Sequence, residues 1–123
     1  MTVALWTILV ACFVPVLCAW LARSGRGSDN AAPRAWLERQ TGWRQRADWA
    51  QRNHYEVFPA FAAAVIVAHV AHAPQHWADA LAVAFVLLRI AYTAAYVFDR
   101  PSLRSALWTL GFACILGLFA ISA

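Results

Sequence analysis

Four apolar stretches take up most of this chain, over residues of about 2–22, 47–73, 77–98 and 102–123. A helix needs about 20 predominantly apolar residues to cross the hydrocarbon core of a bilayer, and each stretch approaches that length. Lipid cannot satisfy backbone amides, so an open sheet edge is excluded there and helices are the remaining solution. The expected fold is therefore all-α, an integral membrane four-helix bundle forming a single domain over 1–123. Charged residues make up only 13% of the chain and hydrophobic ones 63%. A soluble domain has about 25% charged residues, and this chain has too few to coat a water-facing surface. The second stretch starts polar near Ala47 and turns strongly apolar only from Val57 to Ala73. Its first turns are expected to extend into the aqueous side, carrying Arg46, Arg52, Asn53 and Glu56. Pro15 is expected to kink the first helix.

Charge divides the connections sharply. All ten basic residues are arginine, and they sit beside apolar runs rather than on one basic face. That pattern speaks for a membrane surface and against nucleic acid as a partner. The connection from Arg23 to Arg52 holds seven arginines, the turn Asp99-Arg100-Pro101 with Arg104 adds two, and His72–His76 holds none. The positive-inside rule puts the arginine-bearing loops in the cytoplasm and both termini outside. A lysine-free chain rich in alanine and arginine fits a high-GC bacterium, so the expected location is a bacterial inner (cell) membrane. The first helix is expected to be retained, because no charged n-region or A-x-A site flanks it and Leu17 before Cys18 is not a lipobox residue. Ser24 to Pro33 reads as a flexible loop. The stretch from Arg34 to Arg46, with Trp36 and Trp43, reads as a short interfacial helix or a coil.

Cys12, Cys18 and Cys114 lie inside apolar runs with no C-x-x-C pair, so neither a disulfide framework nor a thiol relay is suggested. His69 and His72 share a helical face near His76, but only Asp79 accompanies them, so no metal site is expected. His54 is expected at the cytoplasmic interface.

The informative residues are the ones a membrane penalises. Arg89 lies inside the third apolar run, where a charge costs about 2.5–3.5 kcal/mol on insertion scales and usually faces a partner or a cavity. Glu56 is the acidic residue placed to meet it. Two readings stand: an Arg89–Glu56 ion pair that locks two helices, or a ligand-facing role, alone or with that pairing. Arg89, Tyr92 or Thr93, and Tyr96 recur at helical spacing and line one face. Arg52, Asn53 and Glu56 fall within about one turn. Arg104 and Ser105 sit in the first turn of helix four, just after Pro101, and a helix N-terminus with an arginine and a hydroxyl suits an anion. Each tyrosine alone also reads as an interface anchor. Together these groups suit a small zwitterionic or polyanionic ligand.

Three segments resemble the MAPEG family, the membrane-associated proteins in eicosanoid and glutathione metabolism, and in particular bacterial glutathione transferase-like members. Arg52-Asn-His-Tyr-Glu56-Val-Phe-Pro59-Ala-Phe61 is similar to the N-x-x-E-x-x-P-x-F signature that opens helix two. Arg89-Ile-Ala-Tyr92-Thr-Ala-Ala-Tyr96 is similar to the arginine and tyrosine face of helix three, and Arg100-Pro-Ser-Leu-Arg104-Ser105 to the arginine-bearing start of helix four. The chain departs from some members at Trp49, where they carry arginine, and at Tyr92, where others carry histidine. The resemblance implies a homotrimer with glutathione as cosubstrate, bound between neighbouring subunits near the cytoplasmic side. Its contacts would be Arg23, Arg52, Asn53, Glu56, Arg89, Tyr92, Tyr96 and Arg104, with Arg104 and Ser105 as the catalytic pair. The function implied is a transferase or peroxidase acting on lipophilic small molecules that arrive through the membrane lipids. The alternative is a non-catalytic lipid-binding or scaffolding member of the same fold. An efflux subunit would want an acidic residue in helix one, and there is none.

Overall fold

The computed structural model describes residues 1–25 and 27–123; Arg26, one of the seven arginines of the first long connection, lies outside them. The described residues form helices and no strands: α1 (Val3–Arg23), α2 (Pro33–Glu38), α3 (Gly42–Val70), α4 (Gln75–Val97) and α5 (Pro101–Ala120). The bounds of α1, α4 and α5 lie close to those expected from the apolar runs. The second long helix starts earlier, at Gly42. The stretch expected as one short helix or a coil is instead divided, with Pro33–Glu38 forming α2 and the residues from Gly42 onward joining α3. Gly42 has φ +66°, a left-handed conformation that side chains resist, and this lets the chain turn between the two helices.

Each helix start and stop has a local cause. Thr2 caps α1 by accepting from the Leu5 amide at 3.3 Å. Asp79 of α4 also binds this end, accepting from the Ala4 amide at 2.7 Å. Pro33 and Pro101 occupy the first turns of α2 and α5, where a missing N–H costs nothing. The α3–α4 and α4–α5 turns close with His72 and Asp99 in the left-handed region, φ 54° and 57°. The next amides reach back across the last turn, Ala73 to the Ala68 carbonyl at 3.0 Å and Arg100 to Ala95 at 2.8 Å.

Among the described residues three helices, α1, α4 and α5, are long and apolar enough to cross a membrane. The first half of α3 carries Arg44, Arg46, Asp48, Arg52 and Glu56, and this lowers its hydropathy although it is the longest helix. In the bundle α4 lies against α5 and α1 against α3, while α3 also touches α4 and α5. The buried stripe of α3 runs Ala47, Ala50, His54, Val57, Phe61, Ala64 and Ala68. Phe61 stacks on Phe85 of α4 with ring centroids 3.9 Å apart. Alanines on α1, α3 and α4 surround the pair and let the backbones approach closely, as small residues do between membrane helices. Large apolar side chains such as Trp6, Phe13 and Leu17 on α1 and Leu110 and Leu116 on α5 point outward. A surface of this kind fits lipid or a neighbouring subunit.

Candidate functional site

One face of α4 presents Arg89, Tyr92 and Tyr96 in succession, as their spacing requires. Arg89 is 3% exposed. Its guanidinium donates from Nε and Nη2 to His54 Nδ1 at 3.0 and 2.9 Å, and from Nη2 to Asn53 Oδ1 at 2.8 Å. Glu56 is not its partner. The Glu56 carboxylate is exposed and accepts from Asn53 Nδ2 at 3.1 Å. The expected Arg89–Glu56 pair is thus replaced by a relay through Asn53, because the buried stripe of α3 turns His54 inward and leaves Glu56 at its edge.

His54 faces the interior of the bundle. It is 4% exposed, and its Nε2 lies 2.7 Å from Thr93 Oγ1. A guanidinium can only donate, so Nδ1 accepts and Nε2 carries the proton given to Thr93. The Thr93 hydroxyl in turn donates to the Arg89 carbonyl at 3.1 Å, closing a ring of bonds around one turn of α4. Cys18 of α1 touches the same hydroxyl, Sγ to Oγ1 3.7 Å. Arg89 has no acidic partner among the described residues, and the ion pair found there is Arg52–Asp48 at 2.9 Å.

From this buried layer the contacts run outward through rings. The Arg89 guanidinium lies over the Tyr92 ring at 4.2 Å from its centroid, and His54 meets the same ring edge-on at 5.8 Å. Tyr92 meets Tyr96 in a T-shaped contact at 5.6 Å, and Arg104 of α5 lies over Tyr96 at 4.5 Å. Two guanidiniums therefore bracket a pair of phenols. Cation–π contacts of this kind contribute about 0.5–2 kcal/mol each, more when dehydrated. In front of them opens a cleft of about 260 Å³ lined by Tyr92, Tyr96, Arg104, Ser105, Trp108 and Thr109. Arg104 stands in the first turn of α5, whose positive dipole end adds to its charge.

The candidate residues do not all meet. Tyr92, Tyr96, Arg104 and Ser105 share the α4–α5 cleft, with Arg89 behind Tyr92 and Asn53 and Glu56 linked to Arg89. Arg23 and Arg52 line a separate hollow of about 520 Å³ formed by α1, α2 and α3, together with Arg34, Gln51 and Tyr55. There Arg23 donates to Asn30 Oδ1 at 2.9 Å, and Arg52 turns back to Asp48 on its own helix. The two hollows have no residue in common. Sequence reasoning missed His54 as a site residue, and Trp108 and Thr109 as cleft walls. The signal for His54 was present in the i, i+3, i+7 stripe it shares with Ala47, Ala50, Val57 and Phe61.

Compared with known families, residues 3–123 match the model of the MAPEG family. Among curated proteins no significant match was found.

Proposed function

The chain belongs to the MAPEG family and is an integral membrane protein, and on that premise we propose that it is a glutathione-dependent transferase or peroxidase acting on lipophilic electrophiles in the bilayer. The observation that carries this reading is the α4–α5 cleft, where Arg104, Ser105 and two phenols surround a space at a helix N-terminus. A free thiol ionises near pH 8.5 and only its thiolate is a good nucleophile. Arg104 and the α5 dipole favour the anion, Ser105 adds a hydroxyl beside it, and the protein supplies no nucleophile of its own. In conjugation the thiolate sulfur bonds to an electrophilic carbon, and the electron pair leaves with the departing group or settles on the acceptor.

The second hollow supports a shared site. Arg23 and Arg52, expected to touch glutathione, lie away from Arg104 in one subunit. A homotrimer in which this hollow of one copy faces the α4–α5 cleft of the next would unite the set. In that assembly α3 also crosses the membrane as the fourth span, with the arginine-bearing loops in the cytoplasm and both termini outside a bacterial inner membrane.

A second reading, a non-catalytic lipid-binding member, is favoured by an apolar groove of about 500 Å³ between α1 and α4, lined by Phe13, Leu17, Ile90 and Phe98 among others. Titrating glutathione into the purified protein separates the two. The catalytic reading expects ultraviolet thiolate absorbance at a pH below the free thiol's range, and product with lipophilic electrophiles. Lipid binding with no thiolate and no product would overturn it. Native mass spectrometry in mild detergent is expected to show three copies.

A further inference from the structure

The polar layer behind the cleft contains a feature that thiolate chemistry does not require. Arg89 is a buried cation whose hydrogen-bond acceptors are both neutral, an imidazole nitrogen and a side-chain amide oxygen. A buried arginine is usually matched by a carboxylate, and the carboxylate available, Glu56, is held one residue away by Asn53. Both His54 nitrogens are committed, Nδ1 accepting from Arg89 and Nε2 donating to Thr93. A doubly protonated ring has no acceptor for Arg89, so the geometry requires the neutral form. His54 also touches Tyr92 edge-on, and Tyr92 is a wall of the cleft.

We propose that His54 is a positioning residue: a neutral acceptor that holds Arg89 against Asn53 and the Tyr92 ring without cancelling its charge, so that an anionic ligand in the adjacent cleft experiences it. The inference rests on the reading that glutathione, with its two carboxylates, is that ligand. A carboxylate at position 54 would hold Arg89 equally well and abolish the field. An apolar side chain would do neither. The low-dielectric surroundings make such a charge felt beyond direct contact, since burial screens it far less than water does.

Three substitutions separate holding from charge. His54→Asn keeps an acceptor branching from Cγ close to the Nδ1 position, His54→Asp keeps the acceptor and adds a negative charge, and His54→Leu removes the acceptor. Glutathione and its doubly esterified form, which lacks the carboxylate charges, are titrated calorimetrically into the full-length protein in detergent. Thermal unfolding is followed in parallel. His54→Asn is expected to bind glutathione within about threefold of the native protein. His54→Leu is expected to bind about tenfold more weakly, a change of about 1.4 kcal/mol and the size of one or two hydrogen bonds. His54→Asp is expected to unfold no earlier than His54→Asn yet to lose about tenfold for glutathione and little for the ester. This discord between stability and affinity is something a purely structural histidine would not produce. Native-like glutathione affinity in His54→Leu, or an equal loss for acid and ester in His54→Asp, overturns the proposal. A native protein that binds no glutathione overturns the functional reading itself and this inference with it. Native binding with unaffected His54 variants removes only the role of His54.

Discussion

Two neighbouring layers of the α3–α4 interface use the same geometry for opposite ends. In one, Phe61 stacks on Phe85 among alanines, with no polar atom to satisfy. One turn along α4, and two along α3, Arg89 meets His54 and Asn53, and each identified hydrogen bond points to a particular acceptor. The dry layer stabilises through area and shape, which are non-directional and tolerate substitutions of similar volume. The polar layer contributes less net free energy per contact but specifies how the helices are rotated, because a slip would leave a buried donor unpaired. The cleft opens beside the polar layer, where position matters more than cohesion.

The contrast breaks most visibly at Phe61. Phe61→Ala removes a fully buried ring and is expected to cost about 3–5 kcal/mol, seen in thermal or denaturant unfolding in detergent. Turnover per folded molecule should change little, and a selective loss of turnover would show that the dry layer shapes the site after all. Arg104→Ala is the mirror experiment. It should lower turnover about 10²-fold, roughly 2.7 kcal/mol in the barrier, while the unfolding midpoint stays near native, since Arg104 is only partly buried and lies over Tyr96 at the cleft. The thiolate absorbance of bound glutathione should then need a higher pH to appear, because the charge that favours the anion is gone.

Away from both layers, Asp79→Ala tests a contact that belongs to the fold alone. It frees the Ala4 amide and removes a negative charge from the start of α1, an expected loss of about 1–2 kcal/mol in stability with glutathione affinity unchanged. The smallest effect sharpens the polar layer. Glu56 reaches Arg89 only through Asn53, so a double-mutant cycle of Glu56→Gln with Arg89→Leu should give a coupling of about 0.5–1 kcal/mol in unfolding, the low end for members of one network. A coupling of about 3 kcal/mol would mean that the two charges meet directly.

Much of this site was legible before any packing was known. Arg89, Tyr92 and Tyr96 share a face because a helix repeats every 3.6 residues, and Arg104 falls in the first turn of α5 because Pro101 opens it. The charge deficit and the apolar runs dictate an all-helical membrane protein, since lipid leaves the backbone few other options. The partner of Arg89 was another matter. Glu56 was the carboxylate that charge arithmetic favours, yet the acceptors are His54 and Asn53. Which side chain of α3 meets α4 depends on the rotation of one helix against the other. That rotation is set by Phe61 on Phe85 and by the alanines that let the helices close, contacts between residues far apart in the chain. Arg23 and Arg52 line a hollow of α1, α2 and α3 that shares no residue with the Arg104 cleft, a separation that likewise appears only once the helices pack. Local periodicity determines what each helix presents; only tertiary packing decides what it is presented to.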